Sequence, residues 1–463
     1  MSRAKELLKN TGILMIAKIS TQFVSFLLLP LYTALLSTSQ YGIIDIYTSL
    51  VMIIVPILTL QLEMGLFRFF VTEKSGLSKR KLVTTSFVTI GFLLVFASIV
   101  YVVFICLVKV DYPILVYLYY FTITIMTVLL QVSRAYGKNV IYGFASFLGS
   151  ALSVVLNVVF IAYLRMRVDG ILLSSIIAQS VACIYMLCRL KLFGILRLKY
   201  YDKKVKSKLL NYSIPLVFNQ ISSWAINYSD RIIILSVWGT AYNGIYSLAN
   251  KFSNIVNTFY GVFNVAWTEN VVRSMNDDNA SSYINKMFKF IYNIYFVIVT
   301  GIINFLPIVF KILVKSNYDD AYGHIPILLL AMLFSGMAAT IGSIYIAYNK
   351  TKDVSITTIL SGICNVVVHI SLLKTCGLYA ASISTLVSFC ALFIYRLHFV
   401  KRFFDLRFSY KFLIPQLLIY VFSWYAYSSR SWVEICIGII MNLTFGFIMI
   451  FKGKDVIKTI LKK

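Results

Sequence analysis

The residues of this chain that could do chemistry are a small set of charged and amide side chains set inside long apolar runs. Lys18 and Gln22 stand four residues apart, which puts both on one face of a helix. Asp45 and Glu63 lie near opposite ends of the next run. Asn219, Ser223, Asn227 and Asp230 recur at i, i+4, i+8 and i+11, with Arg231 beside them. Asn250, Asn254, Asn257, Gly261 and Asn264 form a second stripe of helical period, with Lys251 adjacent. His369 stands in the middle of a further run. If these runs cross a membrane, exposing such groups to lipid is costly, and the stripes must line a helix interface or a water-filled cavity.

The signs of the charges suggest what such a cavity would hold. Lys18, Arg231 and Lys251 are cations suited to a phosphate or pyrophosphate, with Gln22, Asn219, Asn227, Asn254 and Asn257 placed to receive sugar hydroxyls. In the alternative, Asp230 or Glu63 pairs with the cations and only fastens helices together. Asp45, Glu63, Asp230 and His369 are the candidates for ion coupling. Asp45 equally suits an interfacial role, Glu63 could bind Arg68, and His369 either relays protons or packs as a neutral ring. Pro30, Pro56, Pro215 and Pro307 fall inside runs and are expected to kink them. The chain has no GxSxG, HExxH or Walker motif, so the expectation is a transporter driven by a gradient, not an enzyme.

Composition requires the membrane. The 463 residues are 60% hydrophobic and only 13% charged, too little charge to cover a soluble core of this size. The net charge of +26 does not indicate nucleic acid, because Lys and Arg are scattered in short stretches between apolar runs. Seven cysteines form no CxxC pair and imply neither disulfides nor a metal site, and no cofactor is expected beyond a coupling H+ or Na+.

The elements that must position these residues are about fourteen spanning helices: 11–36, 41–65, 82–108, 113–133, 141–164, 170–188, 209–237, 241–268, 288–314, 324–348, 355–373, 376–397, 412–429 and 431–451. The basic start resembles a signal peptide, but its apolar run is too long and is read as a retained first span. With the N-terminus inside, 33 of the 43 Lys and Arg fall on the inner side and 7 on the outer, which places both termini in the cytoplasm.

The two halves echo one another. Leu156-Asn157-Val158-Val159 matches Cys364-Asn365-Val366-Val367, and Tyr41-Gly42-Ile43 matches Asn243-Gly244-Ile245, at offsets of 208 and 202. Spans 1–6 then correspond to spans 7–12 as parallel repeats. The expected organisation is an all-α polytopic membrane protein: a six-helix bundle over 1–190, a basic cytoplasmic linker over 191–208, a second six-helix bundle over 209–400, and a helix pair with a basic tail over 401–463.

Two segments carry a family resemblance. Residues 7–53 (LLKNTGILMIAKISTQFVSFLLLPLYTALLSTSQYGIIDIYTSLVMI) resemble the start of Wzx-type polysaccharide (O-antigen) flippases. Residues 230–256 resemble that family's middle motif, with Gly244, Ile245, Tyr246, Ala249 and Lys251 in its pattern. The wider group is the multidrug, oligosaccharidyl-lipid and polysaccharide exporter superfamily. The resemblance implies two bundles forming a V around a cavity. It also implies alternating-access transfer of an undecaprenyl-diphosphate-linked oligosaccharide across the bacterial inner membrane, for O-antigen or related lipopolysaccharide synthesis. Membrane lipids, a polysaccharide polymerase and a chain-length regulator are the partners it suggests. A cation-coupled multidrug exporter of the same superfamily is the alternative. A membrane polymerase or acyltransferase is disfavoured by outer loops of about ten residues.

Overall fold

The computed structural model describes residues 26–275, 280–407 and 413–452, all helix and connecting turns with no strand among them. The helices are α1 (Leu29–Leu35), α2 (Thr38–Thr59), α3 (Leu62–Thr72), α4 (Gly76–Leu107), α5 (Pro113–Ala135), α6 (Asn139–Asn157), α7 (Arg167–Leu190), α8 (Lys203–Trp238), α9 (Thr240–Ser274), α10 (Ala280–Leu313), α11 (Ala321–Ala347), α12 (Thr351–Cys376), α13 (Tyr379–Val400), α14 (Leu413–Ser429) and α15 (Trp432–Lys452). Ten of the described helices are long and apolar enough to cross a membrane, and they coincide with the predicted spans 2–6, 9–12 and 14. The spans predicted over α8 and α9 are helical over 36 and 35 residues, but their polar stripes dilute the apolar runs. The helix of predicted span 13, α14, is only 17 residues long. Most of the first predicted span lies outside the described residues.

Local chemistry sets the ends. Ser37 and Gln40 form a reciprocal capping box that starts α2. Pro30 sits in the first turn of α1, where a missing N–H costs nothing, and the helical residues Phe26 and Leu27 before it are interrupted at Leu28. The second predicted span is not one helix. It breaks between α2 and α3 at Leu60 and Gln61, both left-handed at φ 49° and 55°. Asn157 leads into a π-helical turn, Val158–Tyr163, that closes α6.

The chain divides into two compact units, Met1–Tyr228 and Ser229–Lys463, with the boundary inside α8. In the first unit, α3, α4, α5 and α7 share a core of Leu62, Leu66, Val83, Leu129, Val132 and Met186. In the second, α11 is the central helix, with most of its surface covered. Its small residues make this possible. Gly336 leaves room for the Tyr260 ring of α9, and Gly342 for the Arg396 guanidinium of α13.

The last helix pair is fastened to α10 by a polar ladder. Tyr292 donates to Gln416 Oε1 at 2.5 Å, and Gln416 Nε2 donates to Asn293 Oδ1 at 2.9 Å. One level along, Thr300 donates to Asn442 Oδ1 at 2.6 Å. In a bilayer the hydrophobic effect does not join helices, so amides and hydroxyls of this kind select the partner face.

Candidate functional site

The second unit gathers a buried polar cluster from five helices. Asp230 on α8 is 3% exposed and His369 on α12 is fully buried. Asp230 Oδ1 lies 2.9 Å from His369 Nδ1. The other carboxylate oxygen, Oδ2, accepts from the Tyr246 hydroxyl of α9 at 2.9 Å and from the Thr385 hydroxyl of α13 at 3.0 Å. Asn365, one turn before His369, donates to Thr385 Oγ1 at 3.4 Å. His324 of α11 meets the Tyr246 ring edge-on, with centroids 6.5 Å apart, and its Nδ1 lies 2.9 Å from Ser382 Oγ.

Each helix contributes its residue close to one end. Asp230 precedes the end of α8 at Trp238 by about two turns, and His369 precedes the end of α12 at Cys376 by the same interval. Tyr246 and Thr385 are each six residues past the starts of α9 and α13. Four of the helices therefore hold their residues about 10 Å inside a helix end, and His324 lies within one turn of the start of α11.

The hydrogen bonds constrain the imidazole's orientation. A carboxylate accepting at both oxygens directs Nδ1–H of His369 toward Asp230. His369 Nε2 is buried and has no hydrogen-bond partner among the described residues. Arg231, the residue after Asp230, is itself 4% exposed and adds a fixed positive charge.

The other sequence candidates fall as follows. Lys18 and Gln22 lie outside the described residues. Asn219 and Asn227, in the first unit, are exposed, although Asn227 Nδ2 bonds the Ser223 carbonyl at 2.8 Å. In the second unit, Lys251 is half-buried and Asn254 exposed, and Asn257 Nδ2 donates to Asn254 Oδ1 at 3.1 Å. Asn250 turns inward and bonds the Tyr246 carbonyl at 3.1 Å. Asp45 is half-buried on α2. Glu63 is 2% exposed and does not pair with Arg68, which is exposed. Of the predicted coupling residues, Asp230 and His369 are brought together; Glu63 stands in the other unit.

Three side chains have roles that sequence reasoning did not give. Tyr246 stands in the family's middle motif and Thr385 in an apolar run, but both are neutral and carry no sign of a buried partner. Arg396 stands one residue before the end of the predicted span over 376–397, where a terminal cation suggests the interface. It lies instead inside α13 at 4% exposure, bonded by Nε to Thr357 Oγ1, by Nη1 to the Ala338 carbonyl, and by Nη2 to the Val354 carbonyl and Thr358 Oγ1. No carboxylate is among these partners. Arg396 is a clamp joining α11, α12 and α13.

A family model described as polysaccharide biosynthesis protein matches residues 7–268, more than half of the chain. Among curated proteins, none matches in sequence. Among solved structures, the lipid II flippase MurJ in an inward closed conformation is similar at TM-score 0.71 and 16% identity, covering 97% of this chain and 100% of that one. An inward-facing multidrug resistance MATE family transporter of the MOP superfamily is similar at TM-score 0.70 and 15% identity, covering 84% of this chain and 97% of that one. At such identities these likenesses establish the fold.

Proposed function

This chain belongs to the polysaccharide biosynthesis protein family, and we propose that it is a flippase for a lipid-linked oligosaccharide. In this reading it carries an undecaprenyl-diphosphate-linked repeat unit of O-antigen or a related surface polysaccharide across the bacterial inner membrane by alternating access. Lys18, Arg231 and Lys251 bind the pyrophosphate, and Gln22, Asn219, Asn227, Asn254 and Asn257 meet sugar hydroxyls. The exposed amides of Asn219, Asn227 and Asn254 on the long helices α8 and α9 support this assignment, because Asn facing lipid is disfavoured while Asn facing a hydrated sugar is not. Family membership is the observation that carries the substrate class.

Protons drive the cycle, with the Asp230–His369 couple as the coupling site. Its geometry supports H+ over Na+. An imidazole nitrogen 2.9 Å from the carboxylate occupies the position that a sodium ion's oxygen ligand would need. The membrane lipids, a polymerase and a chain-length regulator are the partners expected of such a carrier.

The similarity to a multidrug transporter fold favours one other reading, export of organic cations. Complementation separates the two. In a strain deleted for this chain, the flippase reading expects loss of a surface polysaccharide, restored by the chain and not by Asp230→Asn. Restored drug resistance with unchanged polysaccharide would favour the exporter.

A further inference from the structure

Helix α4 packs along only half of its length. All its buried residues fall between Leu82 and Ile90, in the first half of Gly76–Leu107. Beyond Ile90, the face turned to the bundle carries Leu94, Ala97, Ser98, Tyr101 and Phe104 at helical period. These residues line a cavity of about 350 Å³, within the size range of ligand pockets. α2 forms a second wall from Tyr47 to Leu58, and α5 a third with Val116, Tyr120 and Phe121. On its opposite face the same half of α4 exposes Phe92, Val95, Phe96 and Ile99, each by more than half. In a bilayer that face meets lipid chains.

Hydroxyl groups tie the three walls together at this spacing. Tyr101 of α4 donates to the Pro113 carbonyl of α5 at 2.8 Å. Ser98 Oγ lies 2.7 Å from the Tyr117 hydroxyl and donates to the Leu94 carbonyl at 2.7 Å. Tyr47 of α2 donates to the Asp111 carbonyl at 2.8 Å, and Tyr120 donates to the Tyr47 carbonyl at 3.0 Å. Each hydroxyl on the walls is thereby engaged within the protein, and the rest of the lining is apolar. Such a space gives water too few partners to hold it. Left empty, it would forfeit the packing of its whole lining. An apolar occupant restores that packing.

We infer that the cavity between α2, α4 and α5 binds one straight acyl chain of a membrane phospholipid, with its headgroup at the α4–α5 turn. The walls run about 16 Å along α2, from Tyr47 to Leu58, and about 15 Å along α4, from Leu94 to Phe104. Over that length the volume leaves a cross-section of about 20 Å², the width of a single extended hydrocarbon chain. A polyprenyl chain carries methyl branches along its length and is wider than this slot. The mouth is placed by Val110, which lines the cavity from the turn. Lys109 and Asp111 flank it, both exposed. Their opposite charges complement the phosphate and the amine of an ethanolamine phospholipid.

The site lies wholly in the first unit and takes no part in the Asp230–His369 cluster of the second. The test uses the purified full-length chain, washed in detergent to remove loosely held lipid. It is equilibrated with an ethanolamine phospholipid carrying a diazirine in mid-chain, illuminated, and the labelled peptides are mapped by mass spectrometry. The inner stripe of α4 (Leu94, Ala97, Tyr101) is expected to take label in preference to the outer stripe (Phe92, Phe96, Ile99). Ala97→Phe fills the middle of the cavity. Inner-stripe label should then fall about ten-fold, the affinity carried by about two buried methylene groups, with outer-stripe label unchanged. If Ala97→Phe does not fold, Ala97→Leu must lower the same label. Equal labelling of the two stripes in the wild type overturns the site, as does inner-stripe label retained by the folded Ala97 variant. A polyprenyl phosphate diazirine that labels the inner stripe better than the phospholipid overturns the straight-chain assignment.

Discussion

Asp230 Oδ1 and His369 Nδ1 lie 2.9 Å apart, brought together from 139 positions apart in the chain. Both are buried, and the same carboxylate also receives the hydroxyls of Tyr246 and Thr385. A carboxylate held by three helices of its own unit ties their arrangement to its charge. Asp230→Asn keeps the volume and most of the hydrogen bonds while removing the charge. Export of polysaccharide is expected to fall by about ten-fold or more, the rate equivalent of losing one charge-assisted hydrogen bond. The amount of protein in the membrane is expected to stay unchanged. Tyr246→Phe, which removes one donor and keeps the ring, should fall between the two, measured as surface polysaccharide in the deletion strain.

At the pyrophosphate site proposed for Lys251 and Arg231, charge matters more than shape. Lys251→Arg should retain export and Lys251→Ala should lose it, with Arg231→Ala behaving alike. Wild-type export by both alanine variants at wild-type protein level would remove the anion site.

Arg396 tests the packing of the second unit. Its guanidinium makes four hydrogen bonds across α11, α12 and α13. Arg396→Leu strips two carbonyls and two hydroxyls of that donor, and a loss of about 3 kcal/mol is expected. Arg396→Lys should recover little, since three ammonium protons on one atom cannot reproduce a planar fork. Thermal unfolding of the purified variants reads both.

One ion pair outside the helix cores has a defined pH dependence. Lys81 Nζ donates to Asp202 Oδ2 at 2.9 Å, where the chain turns into α8. That bond, with the backbone N–H groups of Val205 and Lys204, holds the Asp202 carboxyl below its ordinary value. A depressed folded value means that the contact stabilises fully above the unfolded value of about 3.9 and is lost as pH falls through the folded one. Protease sensitivity of the 191–202 segment should therefore rise below about pH 3.9. Asp202→Asn should show the raised sensitivity already at neutral pH.

Much of the fold was legible because the bilayer restricts it. Apolar runs of about 20 residues can hardly be anything but spans, and the ten helices long and apolar enough to span follow the predicted ones closely. Individual members of the site were legible for the same reason: Asp230 and His369 are costly in a membrane and invite a reason. Their pairing was not, since nothing local links positions 139 residues apart. The repeat was partly legible. Asn157 and Asn365, at the 208 offset, are both buried at 1%. Ile161 stands where that offset puts His369, so the halves share architecture and not chemistry. The α2–α3 break gave no signal beyond Pro56, four residues before Leu60, because Leu and Gln are not residues that favour a left-handed turn.

The most direct measurement is transfer by the purified chain in proteoliposomes containing undecaprenyl-diphosphate-linked oligosaccharide, with a probe that reacts only with sugar exposed on the outside. The account predicts transfer above protein-free liposomes, accelerated by an imposed proton gradient and lost in Asp230→Asn. Transfer no faster than in protein-free liposomes, or transport of organic cations in its place, would contradict it.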